Sequence, residues 1–145
     1  MDNWTPHVYT GPAEALVATA GSATLTVTRG ALPVTVLAID WIATAGTVSA
    51  VIPDVFGEIA KIVINPGTPA PTALYDMLLN DPDGFDLLAG LGANLSATVT
   101  SSATPFLTDA TFGRPMVSAG DITLVIAAAG AGGAGRVTIV LMNRF

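Results

Sequence analysis

The chain has 145 residues, 51% of them hydrophobic and 11% charged, with a formal net charge of −6 and no cysteine. That is one domain of ordinary size, long enough to bury a core, with no disulfide framework and no thiolate metal site. The five Lys and Arg stand singly at Arg29, Lys61, Arg114, Arg136 and Arg144, so no basic patch exists for phosphates, which argues against nucleic-acid binding.

Residues 1–20 carry Trp4, Pro6, His7, Tyr9, Gly11 and Pro12 without periodicity. They read as an extended N-terminal arm preceding a single β domain over residues 21–145. The N-terminus has neither a basic n-region nor a continuous apolar h-region, so no secretory signal is expected. Trp4, His7 and Tyr9 are the candidate partner-binding residues, since amphipathic rings anchor readily on a second protein. His7 is the only histidine, with no second base and no G-x-S-x-G motif, so no catalytic triad is expected.

Thr24, Thr26 and Thr28 then alternate with Leu25 and Val27 in a strand ended by Arg29-Gly30. Val34 to Ala43 carries Leu37, Ile39 and Trp41 on one face and Val34, Val36 and Ala38 on the other, which predicts a central strand covered on both sides. Thr47 to Ile52 is a third strand stopped by Pro53, and Glu58 to Ile64 a fourth. Pro66, Gly67, Pro69 and Pro71 forbid regular structure up to Thr72. Tyr75, Met77 and Leu79 next alternate along a strand from Leu74 to Leu79. Leu95 to Thr100 is a weaker strand, and Pro105 to Pro115 reads as loop with a short edge piece.

Ile122 to Met142 carries Arg136 as its only charge, and hydropathy alone would suggest a membrane span. Gly130, Gly132, Gly133 and Gly135 would weaken a helix at its centre, Arg136 would sit in hydrocarbon, and both flanks are β-branched with period 2. The segment therefore predicts a β-hairpin, Ile122–Ala127 and Val137–Met142, around a flexible Gly/Ala tip. That tip matches G-x-G-x-x-G, but a strand follows where a dinucleotide site needs a helix, so no cofactor is expected. The whole is all-β, an antiparallel β-sandwich or small β-barrel of about eight strands with an N-terminal arm.

Asp76, Asp81, Asp83 and Asp86 gather four acids in a short span. Asp81, Asp83 and Asp86 are weak calcium candidates, because hard cations want clustered carboxylates. An EF-hand loop fails: with Gly84 at its sixth position, Leu79 falls first and Gly90 twelfth. Turn chemistry accounts for Asp81-Pro82-Asp83-Gly84 without a metal, and Leu87 and Leu88 should turn inward behind it.

The run from Asn65 to Gly92, NPGTPAPTALYDMLLNDPDGFDLLAGLG, resembles a family of small β-rich structural proteins of tailed bacteriophages. In that family a Pro-rich loop, a Tyr-Asp strand, an Asp-rich turn and a Gly-rich segment follow in this order. The resemblance covers about Ile59 to Leu107 and, more loosely, extends to Phe145. It implies a virion component without enzymatic activity. It does not fix the location, which is expected to be the particle exterior after synthesis in the host cytoplasm. A head-decoration (cement) protein bound to the major capsid protein is the favoured expectation, since few charges suit subunit contacts and net acidity gives no affinity for packaged DNA. A homo-oligomer is expected, with a trimer favoured for three-fold lattice sites. A head–tail or tail-tip component meets nearly the same expectations. A carbohydrate- or receptor-binding β-sandwich is an alternative, though Trp4, Trp41, Phe106 and Phe112 are too scattered in sequence to mark a platform. A small hydrolase using the Asp76–Asp86 carboxylates is a further rival.

Overall fold

The computed structural model describes residues 16–29, 33–104 and 116–142. Trp4, His7 and Tyr9, with the arm as far as residue 15, lie outside the described residues, as does the segment 105–115. Eight strands follow in order: β1 (Val17–Ala20), β2 (Ser22–Arg29), β3 (Val34–Ile42), β4 (Val48–Pro66), β5 (Asp76–Asn80), β6 (Ser101–Ala103), β7 (Met116–Ala127) and β8 (Ala134–Met142). All pair antiparallel in one open sheet, ordered β2-β3-β8-β4-β7-β5, with β1 and β6 also on β4. β1 shows that the last residues of the expected arm belong to the sheet.

β4 organises everything else. Its first half is flanked by β1 and β7, its second half by β8 and β6. The sheet therefore folds over along β4 into two layers, β2-β3-β8 with the end of β4, and the start of β4 with β7-β5. Strands that change layer at a bulge are how sandwiches turn such corners. β4 carries an extra residue between Ile52 and Val55 and another between Ile59 and Lys61. Each extra residue inverts the side-chain parity. Val48, Ala50 and Ile52 are buried, then Val55 and Ile59, then Ile62 and Ile64, so the apolar set faces inward along the whole strand.

Pro53 thus does not end a strand, and the two segments Thr47–Ile52 and Glu58–Ile64 are one. Its missing N–H falls in the first bulge, where the ladder is already interrupted and Asp54 takes a φ of 55°. The expected 122–142 hairpin is also corrected, because β7 and β8 do not pair with each other. β7 lies between β4 and β5, and β8 between β3 and β4. Their connection is no free tip. Ala129 N–H donates to Gly46 O at 3.0 Å, Gly132 N–H to Ala43 O at 2.9 Å, and Thr72 N–H to Ala129 O at 2.8 Å. The small residues let three chain segments meet there. Leu95–Thr100 is not a strand either; Leu95 makes an isolated bridge to Tyr75, and the strand comes later as β6.

The core runs between the layers. Leu37, Ile39 and Trp41 of β3 and Val137, Ile139 and Leu141 of β8 meet Ile122, Leu124 and Ile126 of β7 and Met77 and Leu79 of β5. The other face of β3 is only partly covered among the described residues, with Val34, Val36 and Ala38 partly buried. Trp41 and Tyr75 join the layers through a tilted ring contact, centroids 5.8 Å apart. Both are fully buried, yet among the described residues Trp41 Nε1 and the Tyr75 hydroxyl have no hydrogen-bond partner.

Burial pushes the Tyr75 hydroxyl above its ordinary value of 10.0. The phenol therefore ionises more readily in the unfolded chain, so its contribution is complete below about pH 10 and is lost as pH rises through the folded value. Tyr75→Phe should remove an unsatisfied polar atom, raise stability by up to about 1 kcal/mol and flatten the alkaline limb. Urea melts at neutral pH and above pH 10 check both effects.

Candidate functional site

The Asp-rich segment is a clamp on the outer edge of β5. Asp81 Oδ1 accepts the N–H groups of Asp83 at 2.9 Å and Phe85 at 2.8 Å. Asp86 Oδ1 accepts from Leu79 at 3.2 Å and Leu88 at 3.0 Å, while Oδ2 accepts from Gly90 at 3.0 Å. Asp76 Oδ1 accepts from Asn94 N–H at 2.8 Å. Backbone bonds from Met77 N–H to Gly92 O and from Leu87 N–H to Leu79 O, each 2.8 Å, complete the edge. Leu87 and Leu88 are buried beneath it.

Of the calcium candidates, Asp81 and Asp86 therefore have their carboxylates engaged by backbone donors, and Asp83 contributes its own N–H to the turn. Among the described residues no group of three His, Cys, Asp or Glu side chains is placed to hold a metal. Gly84 has a φ of +85°, and a Cβ there would meet nothing within 4 Å. Gly84→Val should therefore cost about 1–3 kcal/mol through backbone strain alone. A drop in melting temperature for Val well beyond that for Asn, which tolerates positive φ, checks this.

A second place lies on the outer face of the first layer. Arg136 donates to Asp40 through two parallel bonds, Nε to Oδ1 at 2.7 Å and Nη2 to Oδ2 at 2.9 Å. The pair is about half exposed, and Asp40 holds the Arg136 guanidinium above its ordinary pKa through that bond and its charge. Register sets the geometry, since Asp40 and Arg136 are direct cross-strand partners on β3 and β8. Around them is an open depression of about 440 Å³, lined by Ser22, Thr24, Ile42, Asn65, Gly67 and Thr68 among others. Asn65 is the cross-strand partner of Arg136, and among the described residues its Oδ1 is buried without a hydrogen-bond partner.

Sequence reasoning missed this site. Asp40 and Arg136 are 96 positions apart, and the one signal was that each is the lone charge in an apolar strand. Trp41 stacks in the core rather than standing as a platform for a sugar ring. Among the described residues no helix is long and apolar enough to cross a membrane.

No protein-family model matches the chain, and no curated protein matches it. Among solved structures it is similar to the family 11 carbohydrate-binding module of a cellulosomal cellulase of Clostridium thermocellum. Identity there is 9%, over 99% of this chain and 96% of that one, with a TM-score of 0.34. It is similar also to the adhesin domain of Epf from Streptococcus pyogenes, at 11% identity over 97% of this chain and 44% of that one, with a TM-score of 0.17. Likenesses this distant say nothing of what the chain binds.

Proposed function

We propose that the chain is a non-enzymatic structural protein of a tailed-phage virion, a head-decoration subunit on the outside of the capsid. The observation that carries this reading is the apolar exterior. Val17, Phe56, Leu74, Leu78, Leu91 and Val99 stand 42–64% exposed among the described residues. Val17 pairs with Val51, and Leu78 pairs with Val125 beside Ser49, so uncharged positions adjoin across the outer face of the second layer. Adjoining apolar side chains on an outer sheet face suit contact with another subunit. The Asn65–Gly92 run adds its resemblance to phage structural proteins.

The net charge of −6 suits an exterior that stays soluble and repels packaged DNA. The partners in this reading are the major capsid protein, other virion proteins and further copies of the chain, with Trp4, His7 and Tyr9 as contact residues. The purified protein is expected to be a homotrimer by light scattering. Quantitative mass spectrometry of purified particles tests the reading. Copy numbers near that of the major capsid protein support decoration. A single ring's worth moves the chain to the head–tail junction or tail tip, and absence from the particle refutes a virion role.

A further inference from the structure

The outer face of the first layer has one register level unlike its neighbour. Thr24 of β2 pairs with Asp40 of β3, Asp40 with Arg136 of β8, and Arg136 with Asn65 of β4. Paired residues share a face, so four polar side chains stand in a row on the order of 14 Å long at ordinary strand spacing. The next level holds Thr26, Ala38, Thr138 and Val63, with no charge and no amide. The polar row lies within the depression described above, with Thr68 at its wall and half-exposed Ile42 beside it.

We propose that this depression is a binding subsite for a neutral saccharide, with Asp40, Arg136 and Asn65 as its hydrogen-bonding residues. Three properties select that class. First, the ion pair brings both signs to one spot: a phosphate or carboxylate would meet Asp40, and a cation would meet Arg136. A sugar hydroxyl is donor and acceptor at once, so adjacent hydroxyls can give to the carboxylate and take from the guanidinium.

Second, the pair keeps capacity in hand. A guanidinium has five N–H donors and each carboxylate oxygen two lone pairs, and the two bonds observed engage only part of each. The pairing also fixes both groups before a ligand arrives, which lowers the ordering cost of binding. Third, Asn65 lines the depression one strand beyond Arg136, and its side-chain amide carries two N–H donors and an acceptor, so it extends the row of groups that sugar hydroxyls can meet. Among the described residues no aromatic ring stands exposed in the lining, so binding rests on hydrogen bonds and on the apolar surface of Ile42, and millimolar affinity is expected.

The test uses the full chain, labelled with ¹⁵N, and follows amide shifts during titration with cellobiose, maltose, lactose and N-acetylglucosamine. Sodium glucuronate serves as an anionic counterpart. At least one neutral sugar should shift the amides of Thr24, Asp40, Asn65 and Arg136 saturably. Arg136→Met should weaken that binding by at least about tenfold, the size expected for charged hydrogen bonds. Thr26→Ala, one level away, should leave it unchanged. Arg136 and Asp40 are half exposed, so both Arg136→Met and the isosteric Asp40→Asn should keep the dispersed spectrum of the folded protein. The proposal is overturned if no neutral sugar shifts these amides, if both variants bind undiminished, or if glucuronate binds more tightly than every neutral sugar.

Discussion

Trp41→Ala is expected to destabilise the protein by about 3–5 kcal/mol, the range for removing a large buried aromatic side chain. The loss should approach the upper end, because the site is built around the indole. Trp41 is the cross-strand partner of Gly135, and a Cβ added to Gly135 would lie 2.8 Å from Trp41 Cε2. The ring thus occupies the space above the glycine, which has no side chain of its own to fill the void. On its other side Trp41 meets Tyr75, which precedes β5 in the second layer. Truncation therefore removes contact within the first layer and between the layers at once. Urea denaturation should show a lower midpoint with an unchanged m-value. A loss under about 1 kcal/mol would mean that the layers are held together elsewhere.

Where local chemistry decides structure, the sequence was informative. Thr24–Thr28, Leu37–Ile39–Trp41 and Ile122–Leu124–Ile126 all lie in strands, with Leu25 and Val27 against the core and the other two sets within it, because period 2 is a property of each segment alone. The Asp81–Gly84 turn was legible for the same reason, since Asp81 receives its donors from within four residues.

Pairing was not legible. The two bulges of β4 shift the buried positions from Ile52 to Val55 and from Ile59 to Ile62, so the periodicity breaks twice inside one strand and reads as two strands with a stop. The short Gly/Ala connection between β7 and β8 has hairpin composition, yet the strands it joins pair not with each other but with β4, β7 on its first half and β8 on its second. Asp40 and Arg136 likewise become a site only once β3 and β8 lie in register.

Asp86→Ala is the second large effect, about 2–4 kcal/mol, and it separates a clamp from a cation site. The carboxylate receives three backbone N–H groups, from Leu79 on β5 and from Leu88 and Gly90 beyond it. Removing it leaves the Leu79 and Leu88 donors, both in partly buried surroundings, without that acceptor. Each such loss costs about 1–3 kcal/mol, and the exposed Gly90 N–H can turn to water for less. Asp86→Asn should fall between, keeping one acceptor oxygen while setting an amide donor near Gly90. Asp83→Asn should change stability by no more than about 0.5 kcal/mol, because Asn serves a turn as well as Asp does. A calcium site predicts a different pattern, since every carboxylate that coordinates the ion matters only when the ion is present. Thermal melts of the wild type and the three variants, each in calcium and in chelator, distinguish the two. The clamp requires the same order of stabilities in both buffers. A wild-type melting temperature that rises with calcium, and fails to do so in Asp83→Asn, would establish a metal site in its place.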